Sequence, residues 1–112
     1  MTTSRFWIGL AFALALGCSK GTGATCPTNS TLTYDNFGRS FFSRYCDSCH
    51  GTGGRTQPSL ATQAAIRAQA TAIDQEAAGG PDGVNTAMPE SPPTPTEAER
   101  RQLGEWLACG AR

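Results

Sequence analysis

The sequence lacks several features that would point to common classes of function. Its nine basic residues balance nine acidic ones, and like charges form no run. We therefore expect neither a basic surface for nucleic acid nor a charged tail that steers a partner. Only one histidine is present, and no set of side chains suits acid–base catalysis. These absences argue against a nucleic-acid-binding protein and against an enzyme that depends on acid–base chemistry.

Aromatic residues are also few, at 8% of the 112 residues, whereas there are 13 glycines and 7 prolines. A chain of this length has room for one small domain, and with few large side chains it buries a small core. Such a domain needs further stabilisation, which a large apolar cofactor held by covalent bonds would supply. The five cysteines are therefore the residues to interpret first.

Residues 1–17 are typical of a signal peptide. The basic residue Arg5 precedes an apolar run, residues 6–16, that is too short to span a bilayer comfortably. The run leads into Ala15-Leu16-Gly17-Cys18, which resembles the lipobox of bacterial lipoproteins, although leucine is commoner at position 15. In that family the cysteine is acylated and becomes the first mature residue, so we expect lipidation of Cys18. The alternatives are an ordinary cleaved signal with an incidental cysteine, and an uncleaved anchor helix.

Residues 18–32 are rich in glycine, serine and threonine, which predicts a flexible tether to a domain over residues 33–112. By analogy with the sorting rule of lipoproteins, Ser19 slightly favours the outer membrane over the inner one. We therefore expect an exported protein on the periplasmic side of a bacterial membrane, held there by a lipid anchor. Disulfides persist in that compartment.

The first helix is predicted over residues 34–45, with Thr33 as its N-cap. Its aromatic residues recur at spacings of three and four and form one face: Phe37, Phe41, Phe42 and Tyr45. Gly38 is a poor helix former within this run, and its presence indicates a close approach by another backbone.

A second helix is predicted over residues 60–78 with Ser59 as its cap, and a third begins at Thr94 or Thr96 and stops at Gly110. Both possible starts of the third helix fit the capping-box pattern. No segment alternates as a strand does. The sequence therefore predicts an all-α fold with three main helices and long loops.

The segment Cys46-Asp47-Ser48-Cys49-His50 carries the clearest chemical signal. Two cysteines one helical turn apart can form thioether bonds to the two vinyl groups of a haem, and the adjacent histidine can reach the iron. This spacing is read as attachment of haem c. A zinc site would need further ligands at close spacing, and a thioredoxin-like dithiol would need a βαβ pattern. Neither is visible, so the sequence predicts one covalent haem c with His50 as an iron ligand.

Met88 is the candidate for the second axial ligand. Six-coordinate low-spin haem usually takes histidine or methionine there, and no second histidine exists. Met88 is the only methionine left once the signal is removed. A lone methionine more often fills a core, but polar residues flank this one: Asn85, Thr86, Glu90 and Ser91.

These features together resemble the small monohaem class I cytochromes c, over residues 33–110. Gly38 and Phe42 match the small and aromatic pair of the family's first helix, and Leu103 and Trp106 match the apolar and aromatic pair of its last helix. The resemblance implies the cytochrome c fold, in which these helices cross almost at right angles and the glycine lets them touch.

The resemblance extends to the loops. Pro58, eight residues after His50, resembles the proline whose carbonyl accepts a hydrogen bond from the ligand imidazole. Met88-Pro89 resembles the family's methionine ligand loop.

Cys26 precedes the first helix and Cys109 ends the last. If the helices cross as the resemblance implies, these cysteines lie within disulfide range, and a bond would stabilise the fold by roughly 4 kcal/mol. The alternative is two unpaired thiols, which are uncommon in exported proteins.

The resemblance implies an electron-transfer protein and not an enzyme, with protein redox partners that the sequence does not name. Two alternatives stay open: a haem-based domain that binds or senses a ligand, which requires Met88 off the iron, and the cytochrome subunit of a larger oxidoreductase.

Overall fold

The structure is a computed structural model that describes residues 20–112. A π-helical turn, Tyr34–Gly38, leads into α1, Arg39–Tyr45, and the other helices are α2, Asp47–His50; α3, Gln63–Ala68; α4, Ala70–Ala77; and α5, Glu97–Ala108. Two short strands, β1, Gly79–Gly80, and β2, Gly83–Val84, pair antiparallel. The predicted signal peptide and the predicted lipidation site at Cys18 lie outside the described residues.

The first helix begins where the sequence predicts, at Thr33. The Thr33 hydroxyl accepts from the Asn36 backbone N–H at 3.1 Å, and the Asn36 side chain accepts from the Thr33 N–H at 2.7 Å. The first turn is wider than an α-helical one, because the Gly38 N–H donates to the Thr33 carbonyl oxygen, five residues back, at 3.1 Å.

The predicted second helix is shorter and divided. Thr62, not Ser59, caps it, since the Thr62 hydroxyl accepts from the Ala65 N–H at 3.1 Å. The chain leaves helical geometry at Gln69, between α3 and α4. The division still directs Ile66 and Ile73 into the core, where they are 0% and 8% exposed.

The prediction of a purely α-helical fold misses the β1–β2 hairpin. Each strand is only two residues long and three of the four residues are glycine, so no alternation of apolar and polar side chains could mark them. Glycine is needed at position 80 of the hairpin, because a Cβ there would lie 2.6 Å from the Thr22 carbonyl oxygen. Helix α5 in turn packs directly on β1. A side chain at Gly104 of α5 would collide with the Gly79 carbonyl oxygen.

Helix α5 starts at the second of its two predicted positions. The Thr96 hydroxyl accepts from the Glu99 N–H and the Glu99 carboxylate accepts from the Thr96 N–H, both at 3.1 Å. Leu103, Trp106 and Leu107 form one apolar stripe on this helix, and all three are buried.

Trp106 is the centre of the core. It is fully buried, and the rings of Tyr34, Phe37 and Phe42 surround its own at centroid distances of 6.0 to 6.4 Å. Gly38 is the point where the first helix meets this ring, because a Cβ there would lie 2.6 Å from Cζ2 and Cη2 of Trp106. The close neighbour of Gly38 is thus a side chain, and not the backbone that the sequence predicts.

Within residues 20–32, the segment expected to be a flexible tether is attached to the domain at Thr22. Thr22 is 1% exposed, and its N–H and hydroxyl donate to the two carboxylate oxygens of Asp74 at 2.8 and 2.7 Å. The Thr22 carbonyl oxygen accepts from the Asp82 N–H at 2.9 Å. A composition rich in small polar residues therefore serves close packing here, since such residues fit between α4 and the hairpin.

Cys26 and Cys109 form a disulfide across a sequence separation of 83 residues. It joins the packed N-terminal segment to the end of α5. Within the described part of the chain, no helix combines the length and apolarity that a bilayer span requires.

Gly38→Ala should destabilise the protein by about 1–3 kcal/mol, because the added methyl group has no room against the Trp106 ring. The measurement is urea unfolding of the holoprotein. Ser40→Ala, at an exposed position of α1, is the control and should change stability by less than about 0.5 kcal/mol. A Gly38→Ala protein as stable as the wild type would contradict the packing described.

Replacing Cys26 and Cys109 together by alanine should lower the free energy of unfolding by about 4 kcal/mol, since the bond closes a long loop in the unfolded chain. The same unfolding measurement, under non-reducing conditions, tests this. A loss below about 1 kcal/mol would mean that the packed N-terminal segment holds without the bond.

Candidate haem site

The haem-attachment motif forms one short helical turn directly after α1. The Cys49 and His50 N–H groups both donate to the Cys46 carbonyl oxygen, at 3.2 and 2.9 Å. Cys46 and Cys49 are free, half-buried thiols, and both line the same cavity as His50. One helical turn therefore presents the two thiols and the imidazole to a common space.

The loop after the motif orients the imidazole. The Leu60 N–H donates to the His50 carbonyl oxygen at 2.6 Å, and the Thr56 N–H donates to that of Cys49 at 3.0 Å, so the loop folds back on the motif. His50 Nδ1 lies 2.8 Å from the Pro58 carbonyl oxygen. Since a carbonyl can only accept, Nδ1 carries a proton, and in the neutral imidazole this leaves Nε2 with a free lone pair. The geometry leaves one ring nitrogen available as a metal ligand.

Met88 lines the same cavity, although 38 residues separate it from His50 in the sequence. Its N–H donates to the Glu76 carbonyl oxygen of α4 at 2.9 Å, and its own carbonyl oxygen accepts from Arg100 of α5 at 2.7 Å. Both backbone groups of Met88 are thus tied to helices. The side chain is half-buried and packs against the core.

The cavity has a volume of about 290 Å³, and its walls are mainly apolar. The apolar wall residues come from α1, α4, α5 and the loop before α3: Phe41, Phe42, Leu60, Ile73, Ala77 and Leu103. A recess of this kind accepts a flat apolar group and keeps water from its faces.

The surroundings of Cys46 favour the protonated thiol. Burial, reinforced by the Asp47 carboxylate and opposed by Arg100, raises the pKa of the Cys46 thiol to about 12. A zinc site would need further ligands close to the two cysteines. Among residues 20–112, no three histidine, cysteine or acidic side chains form a metal-binding group.

Arg100 is a site residue that the sequence analysis did not identify. It is 4% exposed, and its Nη1 lies 2.8, 3.0 and 2.7 Å from the carbonyl oxygens of Ala77, Asn85 and Met88. Burial lowers its pKa below the ordinary value for arginine. One signal was available, because Arg100 shares the buried face of α5 with Leu103 and Leu107 at spacings of three and seven.

Tyr45, at the end of α1, reaches across to α5. Its hydroxyl lies 3.0 and 2.9 Å from the two carboxylate oxygens of Glu99. Burial, with the nearby carboxylate, raises the pKa of Tyr45. Burial opposes ionisation of Glu99 as well, but hydrogen bonds from Thr96 and Tyr45 outweigh it and hold the pKa of Glu99 below its usual range. The pair fixes one wall residue of the cavity to the start of α5.

The residues around the cavity fit a covalently bound haem. Two thiols stand one helical turn apart, an oriented imidazole has a free nitrogen, a thioether is near, and the walls are apolar. This set belongs to the small c-type cytochromes.

Comparison with protein families supports the interpretation of this cavity as a haem site. Residues 36–107 match the family described as cytochrome c oxidase, cbb3-type, subunit III, and the chain belongs to this family. The match runs from the first helix to the end of α5 and includes every residue of the cavity wall named above. Membership implies covalently bound haem c and a role in electron transfer. No curated protein and no solved structure matches the chain.

Glu99→Gln should lower stability at pH 7, and the deficit should shrink as the pH falls. The folded state depresses the pKa of Glu99, so its stabilisation is present above the unfolded pKa, about 4.3, and is lost as pH falls through the folded value. Urea unfolding of both holoproteins between pH 7 and pH 3 measures this. Glu97→Gln is the control, because Glu97 sits at the same helix end but bonds only exposed Arg101. Equal deficits for the two variants at every pH would contradict the role given to Tyr45 and Thr96.

Proposed function

We propose that this protein carries one haem c and passes single electrons between redox partners outside the cytoplasm. Cys46 and Cys49 are the attachment residues, and His50 and Met88 are the axial ligands. The observation that supports the proposal most is that these four side chains, from two distant parts of the sequence, line one apolar cavity.

Each residue group has a distinct task in this function. Haem iron with one nitrogen and one sulfur ligand exchanges a single electron with little change in geometry. Pro58 holds the His50 ring in the tautomer that offers Nε2. Cys46 and Cys49 keep the group from dissociating, and the apolar walls exclude water from it. With both axial positions filled, no place for a substrate is left, which favours a carrier over an enzyme.

The N-terminal segment bears on where the protein works. We propose export and a lipid anchor at Cys18. Since Thr22 is already packed against Asp74, only residues 19–21 separate the anchor from the domain. Three residues extend by roughly 10 Å at most. The domain would then stand against the membrane surface, within reach of partners in that membrane, and not at the end of a long tether.

A second candidate function is that of an electron-transferring subunit within a larger oxidoreductase. The description of the matched family, which names a subunit of an oxidase, favours it. Purification from native membranes in mild detergent distinguishes the two. A carrier elutes alone, whereas a subunit elutes with partner chains in fixed ratio and with terminal activity that the isolated chain lacks.

Met88→Ala should convert the haem from a six-coordinate to a five-coordinate form, because no other methionine follows residue 1. The expected results are loss of the weak far-red absorption band of sulfur-bound ferric haem, ready binding of CO to the ferrous form, and a lower reduction potential.

Met88→His is the matched variant for this experiment. It replaces sulfur by nitrogen, so the far-red band should vanish while CO binding stays slow. A wild-type protein that lacks the band and binds CO freely would refute ligation by Met88. It would support the alternative of a haem domain that binds or senses a ligand.

A further inference from the structure

Arg100 is a buried charged residue at a position where an apolar side chain would carry a smaller desolvation cost. It shares the inner face of α5 with Leu103 and Leu107, and it is 4% exposed. Removing a guanidinium from water is costly unless hydrogen bonds offset the lost hydration. A leucine or methionine would complete the apolar stripe without that cost, so the charge needs a separate explanation.

The hydrogen bonds of Arg100 all go to backbone carbonyls of one region. Ala77 ends α4, Asn85 follows β2, and Met88 lies in the loop after β2. The guanidinium therefore binds the chain at three points between the end of α4 and Met88. The shortest of the three distances, 2.7 Å, is the one to Met88 itself.

We propose that Arg100 is a positioning residue that holds the Met88 backbone and thereby keeps the methionine sulfur at the cavity. The inference rests on the proposed ligation by Met88. The Met88 side chain has three rotatable bonds, so its own packing defines the place of the sulfur poorly. The position of the sulfur must therefore be restrained through the Met88 backbone. Arg100 donates to the Met88 carbonyl oxygen, and the Met88 N–H donates to the Glu76 carbonyl oxygen.

The adjacent residue offers a matched control. Arg101 is next on the same helix, but its side chain is 49% exposed and it bonds to Glu97 and to the Gly80 carbonyl oxygen, away from Met88. Arg101→Met therefore removes an arginine from α5 without touching the Met88 loop. Gly38→Ala, which lowers global stability at the Trp106 contact, controls for destabilisation alone.

The test compares holoproteins of Arg100→Met, Arg100→Lys, Arg101→Met and Gly38→Ala. Two quantities are measured: the rate of CO binding to the ferrous form, and the highest pH at which the ferric far-red band persists. For Arg100→Met we expect CO binding about tenfold faster or more, the factor for loss of one charged hydrogen bond, and loss of the band at lower pH. Arg100→Lys keeps the charge but not the planar fork, and should lie between Arg100→Met and the wild type.

The controls decide the interpretation. Arg101→Met and Gly38→Ala should bind CO at the wild-type rate. Two results would overturn the inference and leave Arg100 as a structural residue only. One is that Gly38→Ala accelerates CO binding as much as Arg100→Met does. The other is that both Arg100 variants bind CO at the wild-type rate. Should Arg100→Met not accumulate, Arg100→Lys alone carries the comparison. If the wild-type protein lacks the far-red band, ligation by Met88 fails and this inference fails with it, before any Arg100 variant is compared.

Discussion

The contact of Trp106 with Gly38 is the constraint on which the rest of this structure depends. It fixes how α5 crosses the first helix, and each helix then carries one side of the site. The first helix ends at Tyr45, and the haem-attachment turn begins at the next residue, Cys46. Helix α5 carries the Arg100 guanidinium that meets the Met88 loop. The crossing is therefore a support that both sides of the site share, although neither the motif nor Met88 touches Gly38.

The two candidate iron ligands are held in different ways. His50 depends on local structure, since its ring partner Pro58 is eight residues away and the loop between them bonds back to the motif. Met88 depends on long-range structure, because its backbone is tied to α4 and α5. Local contacts survive partial opening of a fold better than long-range ones do. We therefore expect the Met88 side of the site to open before the His50 side does. The hydrogen bonds to the Met88 backbone are then the main determinant of whether Met88 coordinates the iron.

Much of this organisation is readable from the sequence wherever a signal is local. The caps at Thr33 and Thr96 and the buried stripe of α5 follow from spacing and residue type, whereas the contact of the two helices at Gly38 is what the family resemblance implies. The errors have physical causes. Ser59 and Thr62 are both acceptable caps, and only the direction of the loop decides between them. The hairpin is too short and too rich in glycine to show a period.

Contacts between distant segments are the part that the sequence does not reveal. The hydrogen bonds of Thr22 to Asp74 join residues that are 52 positions apart, and no local pattern in the sequence indicates them. The segment around Thr22 therefore has the composition of a flexible tether although it is attached to the domain. The carbonyl partners of Arg100 likewise exist only after folding. Ligation of one haem by His50 and Met88 is tested most directly by a spectroelectrochemical redox titration of the intact holoprotein. The expected result is a single one-electron transition, with thioether-linked haem in one-to-one ratio to the chain and a far-red sulfur band that disappears on reduction. Two transitions, or a high-spin ferric haem without that band, would contradict it.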